Sequence, residues 1–177
     1  MKNSDLINYC LENSIPFVSF RLPTENEIST FAGGYFVTDP DEQTSEIRFV
    51  IAAFDPSSAK TLYYIPGIIL QGGENETGKL SVSDAKFVRS LNTTAPIVSG
   101  FTSYMKQAEF LIEEMKQNKL QKVVLSRVME YLPDCQIDPL RLFQNACKRN
   151  PGAFVYLFSA ADGQMWLGAT PETLLKV

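Results

Sequence analysis

The 177-residue chain is long enough for one domain with a sizeable core, and its 45% hydrophobic and 20% charged residues are ordinary for a globular protein. Its net charge is −4, from 16 basic and 20 acidic residues. This charge gives no reason to expect a nucleic-acid partner, because a phosphate-binding face needs clustered lysine and arginine.

The three cysteines show no CxxC spacing, and the chain contains no histidine. This composition argues against a zinc site and a disulfide framework, and it favours a reducing compartment. The N-terminus is polar and the first apolar run is short, which predicts neither a signal peptide nor a membrane span. We therefore expect a cytoplasmic protein without a membrane partner.

The first third of the chain is predicted to hold one helix and several strands. The helix begins near Ser4 and stops near Pro16. Strands are predicted at 17–21, 46–54 and 61–65. Between the first two, the apolar stretch 31–36 contains Gly33 and Gly34, which indicates a turn or a closely approached backbone.

The stretch Gly73–Lys79 is close to the pattern of a phosphate-binding P-loop. Leu80 stands where a magnesium-binding Ser or Thr is required, and Glu74 and Glu76 would repel phosphate. We therefore reject a nucleotide site here and predict a glycine-rich, solvated turn.

The second half is predicted to run helix, strand, helix, hairpin. Apolar residues at helical spacing predict a helix over 102–118, followed by a strand that begins near Lys122. Along this strand one face carries Val123, Leu125 and Met129, and the other carries Lys122, Val124, Ser126 and Val128.

A second helix is predicted from Asp138 as N-cap and Pro139 as first residue to a stop at 150–152. A strand at 153–160 and another at 165–169 follow, joined by a two-residue turn at Asp162–Gly163. Strands joined in this way, with helices covering one face, predict a single α+β domain over residues 1–177 built from antiparallel sheets.

Lys122 and Glu172 are the two candidate site residues, because each is predicted to lie at the end of a strand. A lysine has a reference pKa of about 10.4 and acts as a general base only when burial lowers this value. Val123, Val124 and Leu125 could supply that burial. The commoner alternatives are an edge-strand lysine with its ammonium group in water and a glutamate in the first turn of a short helix.

Together, the stretches Lys122-Val-Val-Leu-Ser-Arg127 and Gly168-Ala-Thr-Pro-Glu172 resemble two hallmark segments of the chorismate-utilising enzymes. The resemblance is strong from about Tyr104 to the C-terminus, and the lysine at position 122 is similar to the isochorismate synthase type. Anthranilate synthases usually lack a lysine there, which disfavours that member. The family fold is a layered α/β/β/α arrangement, and this chain resembles its N-terminal half.

The resemblance implies a role for both residues. Lys122 would be the general base that activates water for attack at C2 of chorismate, and Glu172 would be the general acid that protonates the departing C4 hydroxyl. The family also uses Mg²⁺ to neutralise and orient the substrate, with ligands expected downstream of this chain. We therefore expect the 177-residue chain to be inactive by itself.

Two alternatives remain at this point. A salicylate synthase could share the same base and acid and differ by a later lyase step. A non-catalytic module with this fold could bind a small acid or a protein partner, since the chain itself offers no metal ligand set. Neither the biosynthetic pathway nor the oligomeric state follows from the sequence.

Overall fold

The computed structural model describes residues 2–38, 47–52, 57, 60–72, 75–78, 100–160 and 164–171, with the backbone alone for 75–78. The chain divides into two compact units, and each is described by itself. The first unit comprises Met1–Arg89 with Ile137–Val177, and the second comprises Ser90–Gln136. The single domain over 1–177 stays a prediction.

The described ranges contain three helices and nine strands. The helices are α1 (Asn3–Glu12), α2 (Phe101–Lys116) and α3 (Pro139–Arg149). The strands are β1 (Phe17–Arg21), β2 (Ser29–Ala32), β3 (Tyr35–Val37), β4 (Phe49–Ile51), β5 (Leu62–Ile65), β6 (Ile68–Gln71), β7 (Asn75–Gly78), β8 (Phe154–Ser159) and β9 (Met165–Thr170). None of these helices is long and apolar enough to cross a membrane.

All nine strands lie in the first unit and form two antiparallel sheets. The larger sheet has the order β7-β6-β2-β1-β8-β9, and the smaller sheet has the order β3-β5-β4. The central strand β1 pairs with β2 on one side and with β8 on the other, so segments more than 120 residues apart in sequence meet at the middle of the sheet.

Helices α1 and α3 cover one face of the six-stranded sheet. Because alternate residues of a strand point to opposite faces, Phe17 on β1 shares this face with Val155 and Leu157 on β8. They form one core with the apolar side of each helix, including Leu6 and Phe143. This core is the main source of stability in the first unit.

The opposite face of the larger sheet is aromatic and is covered by the smaller sheet. The ring of Phe20 on β1 lies 6.1 Å from Phe49 on β4, and the ring of Phe36 on β3 lies 6.0 Å from Phe158 on β8. The first unit therefore has a helix layer, a sheet and a second sheet. This arrangement confirms the predicted α+β class, with antiparallel sheets covered by helices.

Gly33 and Gly34 connect the two sheets at a close approach, as their sequence indicated. Both have positive φ, 65° and 78°, which glycine adopts without steric cost. A Cβ on Gly34 would lie 2.7 Å from the backbone nitrogen of Gly67. The buried hydroxyl of Tyr64 lies within hydrogen-bonding distance of the carbonyls of Gly33 and Pro16, at 3.0 Å from the latter. Tyr64 thereby ties the smaller sheet to the turn.

Arg21, at the end of β1, is a buried cation. Its guanidinium group donates to five backbone carbonyls, which belong to Leu22, Glu25, Asn150, Pro151 and Ala153. Several of these carbonyls follow the C-terminus of α3, where the helix dipole favours a positive charge. Arg21 therefore fixes the connection between α3 and β8 to the sheet, a role that the sequence did not reveal.

Several predicted elements are confirmed. The first helix, β1 and the helix that starts after Asp138 lie where the sequence placed them. The Asp138 carboxylate accepts a hydrogen bond from the backbone nitrogen of Arg141 at 3.0 Å, as an N-cap should, and Pro139 is the first helical residue.

Other predictions need correction. Residues 75–78, predicted as part of a solvated turn, form strand β7, which pairs with β6. The second predicted strand is shorter within the described residues, at Phe49–Ile51. Short polar stretches form strands when a neighbouring edge offers backbone partners, and local sequence does not report such an edge.

The predicted pairing of the last two strands is confirmed, because β8 and β9 are antiparallel neighbours. Asp162 and Gly163 lie outside the described residues. The last described pair is Ser159 with Met165, which leaves five residues between them. The two-residue turn therefore stays a prediction.

Candidate functional site

Lys122 lies in the second unit, in a segment without regular secondary structure that follows α2. The prediction of a strand from Lys122 to Met129 is therefore wrong, because these residues form no strand in the described structure. A strand needs a ladder partner, and within the described ranges no strand pairs with residues 122–129. The Lys122 side chain is exposed, and neighbouring Val124 is 81% exposed, so the expected burial of this lysine is not supplied either.

The predicted two-faced pattern of this segment is nevertheless present. Val123 and Leu125 are half-buried, whereas Lys122, Val124, Ser126 and Val128 are exposed. Met129, predicted to share the first face, is 65% exposed, and Arg127 is the third half-buried residue. Residues 122–128 thus show the alternating side-chain exposure of a strand, but their backbone is not paired with a neighbouring strand among the described residues.

Helix α2 supplies the surface against which the half-buried residues lie. Leu125 lines an open, mostly apolar groove together with Lys106, Gln107, Phe110 and Leu111. The predicted apolar face of α2 is confirmed in part: Tyr104, Ala108, Leu111 and Met115 are half-buried, whereas Ile112 is exposed. No residue of α2 is fully buried by the described part of the chain.

Glu172 lies outside the described residues, as do the five residues after it. The described chain does show what leads to it, because β9 ends at Thr170 and Pro171 follows. A base and an acid that act on one ring must lie within a small molecule's width of each other, so we predict that Lys122 and Glu172 project into a common space. This stays a prediction, because Glu172 lies outside the described residues.

Gly168, within the stretch that leads to Glu172, has a packing role that sequence reasoning missed. It lies directly opposite Tyr156 in the β8–β9 pair. A Cβ at this position would be 2.5 Å from Cε1 and 2.7 Å from the hydroxyl oxygen of Tyr156. Only glycine therefore lets the tyrosine ring lie across β9. The sequence signal that could have revealed this role is a glycine inside an otherwise apolar strand.

Among the described residues Cys10, Tyr64 and Cys147 have raised pKa values, and none of them is a candidate site residue. Burial raises the pKa of the Cys10 thiol to about 12 and raises the pKa of the Tyr64 hydroxyl well above its usual value. Burial also raises the pKa of Cys147, while the nearby Arg21 guanidinium opposes this shift. Cys10 therefore stays a neutral thiol, which makes it a poor nucleophile at ordinary pH.

The described residues do not fit a magnesium ion. In this part of the chain no three carboxylate, histidine or cysteine side chains cluster closely enough to hold a metal. Mg²⁺ prefers oxygen ligands in octahedral geometry, often from carboxylates. These residues therefore offer no ligand set for Mg²⁺.

Comparison with known proteins identifies what this chain is similar to. A family model described as "Chorismate binding enzyme" matches residues 72–177, a range that includes both Lys122 and Glu172. A protein of Aeromonas hydrophila named "Putative isochorismate synthase" is 33% identical over 96 residues, which are 54% of this chain and 23% of that relative. "Isochorismate synthase EntC" of Escherichia coli (strain K12) is 38% identical over 58 residues, which are 33% of this chain and 15% of that relative.

The aligned part of these relatives is thus less than a quarter of their length. No solved structure matches the chain.

Proposed function

Because this chain belongs to the chorismate binding enzyme family, we propose that it acts on chorismate as an isochorismate synthase. In this reaction water adds at C2 of the ring and the C4 hydroxyl leaves. The observation that carries the proposal is the stretch Lys122–Arg127 within the matched residues, together with relatives that bear the name isochorismate synthase.

We assign the general base to Lys122 and the general acid to Glu172. Hydroxide is a poor leaving group and water is a poor nucleophile, so the reaction needs a base for the water and an acid for the C4 oxygen. In this proposal Lys122 accepts a proton from the attacking water, and Glu172 donates a proton to the departing hydroxyl, which leaves as water. The burial that a lysine base requires must come from contacts beyond those of the described residues.

We include Mg²⁺ in the proposal, with ligands outside the described residues. When bound, the ion would neutralise the ring carboxylate of chorismate. We expect the 177-residue chain by itself to form no isochorismate, because Lys122 is exposed and its described part holds no metal ligand set. Formation of isochorismate by the purified chain, lost in Lys122→Ala, would contradict this expectation.

The test of function uses the protein encoded by the whole reading frame, incubated with chorismate and Mg²⁺ and analysed by chromatography. We expect isochorismate to accumulate, and salicylate with pyruvate would show a salicylate synthase instead. Lys122→Ala should lower kcat by about 10²- to 10⁴-fold, the usual contribution of a general base. Lys119→Ala is the matched control, because Lys119 is an exposed lysine paired with Glu114 at 2.9 Å.

The exposure of Lys122 also supports a second candidate of another class, a module that binds a small acid or a protein without catalysis. This alternative predicts that chorismate binds to the full protein and is recovered unchanged. If the parent protein and the Lys122→Ala variant consume chorismate equally, Lys122 is not the general base and the proposed mechanism is contradicted.

A further inference from the structure

Arg127 ends the stretch that begins with Lys122, and its guanidinium group lies over two aromatic rings of α2. Its Cζ is 6.0 Å from the ring centre of Phe101 and 5.8 Å from that of Tyr104. Contacts of this kind attract a cation to the electron-rich faces of the rings. Phe101 and Tyr104 are three residues apart, so both rings belong to the same side of the helix.

The guanidinium group is not held in this place by a complete set of hydrogen bonds. Its Nε atom is buried and has no hydrogen-bond partner within the part of the chain that the structure describes. A buried N–H without a partner is unfavourable, so other interactions must retain Arg127 on this face. The two ring contacts are interactions of this kind that the described residues provide.

The position of Arg127 determines the side on which Lys122 lies. Side chains alternate along the segment, and Lys122 precedes Arg127 by five positions, an odd number (127 minus 122). With Arg127 against α2, Lys122 must point away from the helix, as its exposure shows. If residues 122–128 shifted by one position along α2, the two sets of side chains would exchange places and Lys122 would point toward the helix.

We propose that Arg127 is a positioning residue for Lys122: by lying over the rings of Phe101 and Tyr104 it fixes the register of residues 122–128 on α2 and so the direction of the lysine. This inference rests on the proposed function only in assigning the base to Lys122. Leu125 lies in the groove beside Phe110 and Leu111 and supports the same register. It specifies the register less strongly than Arg127, because Val124 could occupy the groove if the segment shifted by one residue.

The register is measured by thiol labelling of the 177-residue chain. Val123→Cys and Val124→Cys place the same thiol at neighbouring positions, one half-buried and one 81% exposed. Each is labelled with a small maleimide and read by peptide mass, which separates it from Cys10, Cys135 and Cys147. We expect faster labelling at position 124 in the parent chain and loss of this difference when Arg127→Met is added.

Three further variants separate the ring contact from a general loss of folding. Tyr104→Phe keeps the ring and should keep the labelling difference, whereas Tyr104→Leu removes the ring and should reduce it. Arg127→Lys keeps a cation and should preserve the difference in part, since an ammonium group is also attracted to a ring face but lacks the planar stacking of arginine. A labelling difference that persists in Arg127→Met would overturn the proposal.

In the full-length protein, the displacement of a base by about 1 Å can cost on the order of 10²-fold in rate. We expect Arg127→Met to lower kcat by that factor with little change in KM, because the base acts in the transition state. An unchanged kcat together with a lost labelling difference would overturn the link to Lys122. A parent protein that forms no isochorismate would instead contradict the proposed function and leave the labelling result standing.

Discussion

The two compact units differ in how their apolar side chains are used. In the first unit, α1, α3 and the sheets bury a continuous core in which Phe143 is fully buried. In the second unit, α2 has no fully buried residue, and Phe110 is 64% exposed. The first unit is therefore stabilised by its own described contacts, whereas the stability of α2 depends on helix propensity and a few contacts with residues 122–128.

The largest expected contrast comes from truncating the same side chain in each unit. Phe143→Ala should destabilise the first unit by about 3–5 kcal/mol, because it leaves a cavity in a closed core. Phe110→Ala should change the free energy of unfolding by less than about 0.5 kcal/mol, as exposed positions do. Urea denaturation followed by circular dichroism measures both. A cost at Phe110 comparable to that at Phe143 would mean that α2 is better packed than described.

The second contrast compares a buried arginine with an exposed one. Arg21→Met should cost about 2–3 kcal/mol, because it removes charge-assisted hydrogen bonds and leaves the buried carbonyl of Ala153 without this donor. Arg141→Met, on the exposed side of α3, is the matched control and should be nearly neutral. The measurement is the midpoint of urea unfolding, compared between variants whose free energy of unfolding has the same dependence on urea concentration. Equal midpoints for the two variants would show that water replaces the guanidinium group of Arg21.

The third contrast uses two glycines of the first unit. Gly168→Ala forces the Tyr156 ring to move and should cost about 1–3 kcal/mol, as overpacking does. At Gly152 a Cβ meets nothing within 4 Å, so Gly152→Ala should be neutral or slightly stabilising. Thermal unfolding of both variants checks this. A neutral Gly168→Ala would indicate that Tyr156 can leave β9 at no cost.

The smallest expected effect is the pH dependence that Cys10 contributes. Its pKa is raised from 9.0 to about 12 in the folded chain. Its stabilising contribution is thus complete below pH 9 and is lost as the pH rises toward 12, because only the unfolded chain ionises there. Between pH 8 and 10.5 we expect a loss of about 1–2 kcal/mol.

The control for this effect is a pair of cysteine variants examined over the same pH range. Cys10→Ala should lower this pH-dependent loss, whereas Cys135→Ala, which removes an exposed thiol, should retain it. An identical loss in both variants would assign the alkaline transition to another group, of which the buried Tyr64 is the first candidate.

Local sequence patterns predicted the elements that are stabilised locally. The cap at Asp138, the proline at 139 and the apolar composition of residues 17–21 and 153–160 each act within a few residues, so these elements are where we expected them. The pairing of distant segments could not be predicted in this way. Strand β7 exists because β6 offers an edge, and residues 122–129 lack regular structure because no described strand pairs with them.

The candidate site was predicted from a resemblance more than from physical signals. The resemblance selected Lys122 and Glu172, whereas the burial expected for Lys122 did not follow from its valine neighbours, since Val124 points into solvent. Arg21 and Gly168 went unrecognised because their importance lies in partners more than ten residues away. A residue's nonlocal partners are what a single sequence reveals least.

Trp166 gives β9 an optical signal of its own. It is the single tryptophan of the chain and lies half-exposed on the last strand of the larger sheet, six residues before Glu172 (172 minus 166). Indole emission depends on contact with water, so tryptophan fluorescence reports the surroundings of this strand. Any strand or ligand that covers the indole of Trp166 should shift the emission to shorter wavelength, which makes binding at β9 detectable without a label.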